Sequence, residues 1–301
     1  MDMKQVVPDR HPTPANCDKS QCIVRTKQTT KSPGMAKLLA ALFVLASSAV
    51  QAQPAFDLNK PAAVFELAGE LEEISALSMG PDNLLLAVQD EDGYIYRLDP
   101  ESGDVVRRDR FAGSGDYEGI EWVGEWIFVL ESNGHLYRTP ALQPTRGETL
   151  RIRLDLPGGC DAEGLAWDGP NERFLVSCKD ADGVRGQKGR SVFAFSRIGE
   201  LIGRELFMDD DLLESAGVDG VSDFRTSAVA VHPITGRIFL LSSDEPALCE
   251  IKDGQLMCEP LDLKTMRQPE GLTFDTNGAL WISSEARGKT PTLHRFDPAS
   301  E

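Results

Sequence analysis

Five segments of the chain share one wording. Ala76 in "EISALSMGPD", Gly119 in "YEGIEWVGE", Gly164 in "AEGLAWDGP", Ala228 in "TSAVAVHPI" and Gly271 in "PEGLTFDTN" each follow an acid or a serine and open a short apolar run. They stand 43, 45, 64 and 43 residues apart. After each comes a turn and a second apolar run: "NLLLAVQD", "EWIFVLES", "RFLVSCKD", "RIFLLSSD" and "ALWISSE". A third run follows ("YIYRLD", "HLYRTP", "SVFAFS", "ALCEI", "TLHRFD"), and the first four units add a fourth ("VVRRDRF", "LRIRLDL", "LIGRELF", "QLMCEPLDL"). Short β-branched and aromatic runs bounded by Gly, Pro, Asn and Asp are strands. A four-stranded unit recurring every 40–50 residues or so predicts an all-β protein, a β-propeller.

The count is five four-stranded blades, with six as the alternative. The long gap holds only about 21 residues beyond the common period, too few for a hidden blade. The fifth unit lacks its fourth strand, whereas "AVFELAG", Ala63 to Gly69, stands unpaired before the first. That segment is expected to complete the last blade and remove the edges an open circle would expose.

The N-terminal residues read as a leader. "MAKLLAALFVLASSAVQAQPAF" carries one lysine, an apolar run from Leu38 to Val50 and small residues before a cut after Ala52. This is the pattern of a secretory signal peptide, too short for a membrane span. It begins at Met35, so residues 1–34 are expected to be an upstream extension from a misplaced start, residues 35–52 the signal peptide, and residues 53–301 one propeller domain. The expected location is periplasmic or secreted, with no membrane span in the mature chain. The alternative is an uncleaved N-terminal anchor in the inner membrane. The whole chain carries a net charge of −17, and loss of the basic leader makes it more acidic still. Such a balance repels nucleic acid and anionic membranes and favours cations and basic partners. A monomer is expected.

The four cysteines beyond the leader pair by spacing. In "CEIKDGQLMC" the Asp253-Gly254 turn is a hairpin signal that sets Cys249 opposite Cys258, on a pair whose Cα atoms approach closely. Cys160 and Cys178 flank a turn near Gly169-Pro170 and face each other approximately. Two disulfides agree with an oxidising compartment, and no cysteine or histidine spacing suggests zinc.

The phrases "GDYEGIEW", "DAEGLAWDGPNERFLVSCKD", "SAVAVHPITGRIFLLSSD" and "PEGLTFDTNGALWISSE" resemble the SdiA-regulated family of bacterial envelope or secreted propellers, from about Leu71 to Phe296. The resemblance implies a propeller and export, and no reaction. Two units depart from the Glu-Gly wording, with Ser75-Ala76 and Ser227-Ala228, so no site here can need five glutamates.

In a propeller the first strand of each blade begins, and the second ends, on one face. Ser75, Glu118, Glu163, Ser227 and Glu270 are therefore expected around the channel mouth, joined by Asp90, Glu131, Lys179, Asp244 and Glu285. Like charge so concentrated binds a cation, raises carboxyl pKa values, or is neutralised by basic groups. Calcium is the first choice of ligand, since it accepts many oxygens in loose geometry, with Glu118, Glu163 and Glu270 as its expected ligands. A purely structural role stands beside this. Glycine and alanine at the repeat position suit backbones crowding near the axis, and the glutamates could clamp one blade to the next.

Two long segments are expected over the same face: "KDADGVRGQKGR", with Arg185, Lys188 and Arg190, and "MDDDLLESAGVDGVSDFRTS", with a helix from Asp210 to Ala216. Inward Arg185, Lys188, Arg190 or Arg287 would turn the mouth into a salt-bridge network. There is no GxSxG motif. His135, His232 and His294 fall at a loop edge, a turn on the other face and a third strand, away from the acids. Trp122, Trp126, Trp167 and Trp281 fall within strands, where packing accounts for them. Two functions stay open: a noncatalytic exported propeller binding a small ligand, peptide or protein at the mouth, with or without calcium, and a metal-dependent hydrolase of phosphoesters or lactones using the same carboxylates.

Overall fold

The computed structural model describes residues 55–181 and 189–299. The leader, and Arg185 and Lys188 of the first long segment, lie outside the described residues. Among the described residues twenty strands form five four-stranded antiparallel sheets, in which strands consecutive in the chain pair with one another and the first strand of the chain pairs with the last.

Strand β1 (Ala63–Glu66) precedes the first blade, which comprises β2 (Ile74–Met79), β3 (Leu85–Gln89), β4 (Asp92–Leu98) and β5 (Val105–Ser114). The second blade is β6 (Tyr117–Val123), β7 (Trp126–Glu131), β8 (His135–Pro140) and β9 (Leu150–Arg153), and the third is β10 (Ala162–Asp168), β11 (Arg173–Ala181), β12 (Gly189–Phe195) and β13 (Leu201–Met208). Helix α1 (Asp210–Ser215) leads to the fourth blade: β14 (Thr226–Val231), β15 (Ile238–Ser242), β16 (Ala247–Lys252) and β17 (Gln255–Pro260). The fifth is β18 (Pro269–Phe274), β19 (Leu280–Ser284) and β20 (Thr292–Phe296), with β1 as its outer strand. Ala63 pairs with Arg295 and Glu66 with Thr292, so the expected closure by the N-terminal strand holds. Five blades, not six, make the ring, and β18 packs against β2 to complete it.

Period-two alternation explains how the blades cohere. Along β3, Leu85 and Ala87 pack with Trp281 and Leu293 of the fifth blade, whereas Leu86 and Val88 pack with Ile120, Ile127 and Val129 of the second. Both faces of each central strand are therefore buried, which is why these runs are continuously apolar. The core consists of five clusters, one in each gap between consecutive blades.

Both expected disulfides are present. Cys249 faces Cys258 in register, with Lys252 opposite Gln255 at the turn. Asp253 and Gly254 both adopt positive φ there, 52° and 77°, as the two-residue turn requires. Cys160 bonds Cys178 from the loop before β10. Helix α1 starts one residue after Asp209, whose carboxylate accepts the Leu212 N–H at 2.9 Å. Its buried Leu213 joins the cluster between the third and fourth blades.

Candidate functional site

All five inner strands carry a β-bulge at the same place. The register slips between Ile74 and Ala76, Tyr117 and Gly119, Ala162 and Gly164, Thr226 and Ala228, and Pro269 and Gly271. The residues left without a partner are Ser75, Glu118, Glu163, Ser227 and Glu270. A bulge re-aims its extra residue, and here it does so five times at the starts of the strands around the axis. The following small residue answers to crowding: a Cβ on Gly164 would lie 2.6 Å from the Val229 nitrogen, and one on Gly271 3.0 Å from the Leu77 nitrogen.

The bulged residues divide by chemistry. The Ser75 hydroxyl donates to the Tyr117 carbonyl at 2.6 Å, and the Ser227 hydroxyl to the Pro269 carbonyl at 2.9 Å. Each bond joins a blade to the next, so the clamping considered for the glutamates is carried out by the serines. The glutamates form an ionic group. Lys179 Nζ donates to Glu163 Oε1 at 3.0 Å, and Gln268 Nε2 donates to Glu270 Oε1 at 2.7 Å. Both carboxylates are almost wholly buried, 2% and 4% exposed. Burial, then the charge of Glu163, then a proton-sharing contact with Asp116 hold Glu118 far above the usual carboxyl range. Burial also raises Glu163, against the pull of Lys179. Burial and the charge of Glu285 push Glu270 up to about 8, although Gln268 and Lys179 oppose them. Burial by itself would lower the Lys179 ammonium, but Glu163, Glu270 and Glu118 together outweigh it and push its pKa up. Among the described residues, Lys179 is thus the basic group that pairs with the buried glutamates. Arg190 instead donates to the Phe224 carbonyl and to Asp210, each at 2.8 Å. Arg287 reaches Gln268 and stands 3.9 Å from Asp244.

The second-strand ends need two corrections. One backbone bond recurs in every blade: the N–H groups of Asp90, Ser132, Lys179, Ser243 and Glu285 donate to the carbonyls of Glu73, Asp116, Asp161, Arg225 and Gln268. The ladder therefore puts serines at the equivalent positions of the second and fourth blades. Glu131 stands one residue before that position, and its carboxylate accepts the Tyr137 hydroxyl at 2.9 Å and lies 3.4 Å from His135 Nδ1. Asp244 stands one residue beyond it, half exposed between Arg225 and Arg287. Acidity at a strand end misled where register decides. Tyr117, the aromatic nearest the mouth, is buried, its ring packed on Phe111 and Tyr137 and its hydroxyl bonded to the Gly113 carbonyl.

The expected metal ligands Glu118, Glu163 and Glu270 have a cation of this chain beside them. Lys179 pairs with Glu163 and acts on Glu270 and Glu118, so that group carries its own cation. Among the described residues, the three carboxylates that converge within metal reach are Glu73, Asp90 and Glu285, with one oxygen of each within 4.8 Å of the others. Glu73 and Asp90 come from the first blade and Glu285 from the fifth, where the Ala286 N–H donates to the Glu72 carbonyl at 3.0 Å across the seam. Asp90 Oδ1 is buried without a hydrogen-bond partner. Burial and then the Glu73 charge push Asp90 up to about 6 and Glu285 up to about 7. An all-oxygen set with an unsatisfied acceptor suits a hard cation. Glu73 escaped the sequence reading, although it, Asp116, Asp161, Arg225 and Gln268 each stand two residues before the bulged position of the aligned repeat.

These features define a five-bladed β-propeller whose one opening is lined by buried carboxylates. The chain belongs to the SdiA-regulated family, whose sequence pattern matches residues 62–287. Its fold is similar to that of glutaminyl cyclase from Myxococcus xanthus, at 15% identity and a TM-score of 0.54 over 80% of this chain and 97% of that one. It is also similar to a protein of unknown function from Bacteroides thetaiotaomicron, at 16% identity and a TM-score of 0.51 over 73% of this chain and 58% of that one. No helix among the described residues is long and apolar enough to cross a membrane.

Proposed function

We propose that the protein is an exported, monomeric propeller that binds a small ligand or a peptide at the acidic mouth through a divalent cation, calcium by chemistry, held by Glu73, Asp90 and Glu285. The observation that carries this reading is the convergence of three carboxylates from two blades with Asp90 Oδ1 unpartnered. Bound calcium would satisfy that oxygen and relieve the repulsion that raises Asp90 and Glu285. The Lys179–Glu163 pair, on the third blade and so two blades from both, offers a ligand both a donor and an acceptor. Two disulfides support export to an oxidising compartment.

Calcium titrated into chelator-treated protein, followed by calorimetry, tests the reading. Binding is expected in the native chain and lost in Glu73→Gln, Asp90→Asn and Glu285→Gln, while Glu163→Gln retains it. An absence of binding by the native chain would remove the metal from this account.

One observation favours a second reading, a metal-dependent hydrolase. Glu270, held near pH 8 and acted on by Glu285 of the carboxylate trio, is suited to hold or accept a proton during hydrolysis. Turnover of phosphoester or lactone substrates that requires calcium and disappears in Glu270→Gln would establish it.

A further inference from the structure

The far end of the channel holds a second, chemically different site. There the final residues of the inner strands enclose a cavity of about 480 Å³, lined among others by Glu121, Trp122, Trp167, His232 and Thr273. Its size falls within the range of small-molecule pockets, roughly 300–1,000 Å³. Glu121 lies three residues beyond Glu118 on β6, roughly 10 Å further along at about 3.3 Å per residue. It sits deep in the molecule yet keeps partial exposure, and it lines the cavity. Trp122 and Trp167 are likewise only half-buried. The packing expected of all four tryptophans covers Trp281, 2% exposed, whereas Trp122 and Trp167 pack against the core on one side and line the cavity with the rest.

The charge at this end is unbalanced. The Glu121 carboxylate accepts from the Ser78 hydroxyl and the Trp167 backbone N–H, and no basic group offsets its burial, which pushes it up to about 8. No lysine or arginine is among the described residues lining the cavity. His232 supplies no charge either: its Nδ1 accepts the Ile234 and Thr235 N–H groups at 3.2 and 3.3 Å, and burial lowers its pKa. Asp275 also lines the wall, but its carboxylate accepts the Asn277 and Ala279 N–H groups within its own turn. Indole faces attract cations, and the outer partner of Trp167 illustrates this, with the Arg197 guanidinium 5.3 Å from its ring centroid. A carboxylate without a counter-charge, at the floor of a tryptophan-walled cavity that lacks basic side chains, favours a cation with apolar substance.

We propose that this opening binds a small organic cation, a primary amine bearing an aromatic or alkyl group, with its ammonium on Glu121 and its apolar part against Trp122 and Trp167. The site is independent of the acidic mouth and of any metal there.

Calorimetric titration of the full chain at pH 8 with three probes of one shape tests it: phenethylamine as cation, phenethyl alcohol as neutral and 3-phenylpropionate as anion. The amine is expected to bind at least tenfold more tightly than either of the others, which is about 1.4 kcal/mol. Glu121→Gln, which keeps an acceptor for Ser78 and Trp167, is expected to weaken the amine at least tenfold, and Trp122→Ala to weaken all three probes. Glu163→Gln and Glu285→Gln at the other mouth should leave it unchanged. Equal affinity for the three probes, full retention in Glu121→Gln, or no amine binding up to about 10 mM, weaker than about −2.7 kcal/mol, would each overturn the proposal. The probe comparison uses the native chain, so it decides even if a variant fails to fold.

Discussion

At the scale of single residues, the mouth is governed by which charges are compensated. Lys179 keeps about a third of its side chain in solvent, while its partner Glu163 is 3% exposed. Lys179→Met would leave that buried carboxylate beside Glu118 and Glu270 without its counter-charge. The expected cost is about 1–3 kcal/mol in urea unfolding at pH 8. Adding Glu163→Gln should restore more than half, because the penalty lies in the stranded charge. A second prediction concerns the repeat glycines. Gly164→Ala should cost about 1–3 kcal/mol by overpacking, because its Cβ would meet the backbone of the fourth blade. Gly69→Ala, with open space around its Cβ, should stay within about 0.5 kcal/mol. The crowding behind the small residue was legible in the sequence, since alanine replaces glycine in two units and nothing larger does. The partner of Glu163 was not, because Lys179 stands 16 positions away and its direction depends on the bulge.

At the scale of elements, closure and cross-linking are the features most open to test. Removing the chain through Glu66 deletes β1 and leaves β20 as an exposed edge. Unpaired edges recruit other chains, so the truncated protein is expected to associate in light scattering and to melt earlier and less cooperatively than the full chain. The disulfides should differ in weight. Their separations are 18 residues for Cys160–Cys178 and 9 for Cys249–Cys258. In the chain-entropy picture a twofold longer loop adds about 0.6 kcal/mol. Paired Cys→Ala variants are therefore expected to lose more stability at the first bridge than at the second. Hairpin register around Asp253-Gly254 could be read directly, because turn chemistry and spacing are local. The bulges could not, because a residue without a cross-strand partner looks like any other until both strands are aligned. That is also why Glu131 and Asp244 were assigned one position from the true equivalents, Ser132 and Ser243.

At the scale of the whole molecule, raised carboxyl pKa values tie stability to pH. Glu270 and Glu121 are pushed to about 8 and Glu285 to about 7, against an ordinary 4.5. The folded state then holds protons that the unfolded chain has released, so stability falls as pH rises through this range. His232 and His294 act oppositely, since burial lowers both. Their contribution is present above pH 6.5 and lost as pH falls below it. Between pH 6.5 and 8 the carboxylates therefore dominate, and Tm is expected to decline across that window. Glu270→Gln and Glu121→Gln should flatten the decline. If calcium occupies Glu73, Asp90 and Glu285, it should raise Tm more at pH 8 than at pH 5.5, because the ion requires ionised ligands.

The repeat, the strand count, the closing strand and both disulfides were determined by the sequence, because each rests on local periodicity or on spacing across a turn. The ring position of Glu118, Glu163 and Glu270 was legible for the same reason. Which charge meets which was decided only by the tertiary structure. The first and fifth blades meet at a seam joining residues some two hundred positions apart, and there Glu73 finds Asp90 and Glu285, while Lys179 turns toward Glu163. The far cavity belongs to this second category. Glu121 and Trp122 lie on the second blade, Trp167 on the third, His232 just beyond the inner strand of the fourth and Thr273 on the fifth, and the circular arrangement of the blades brings them to one opening.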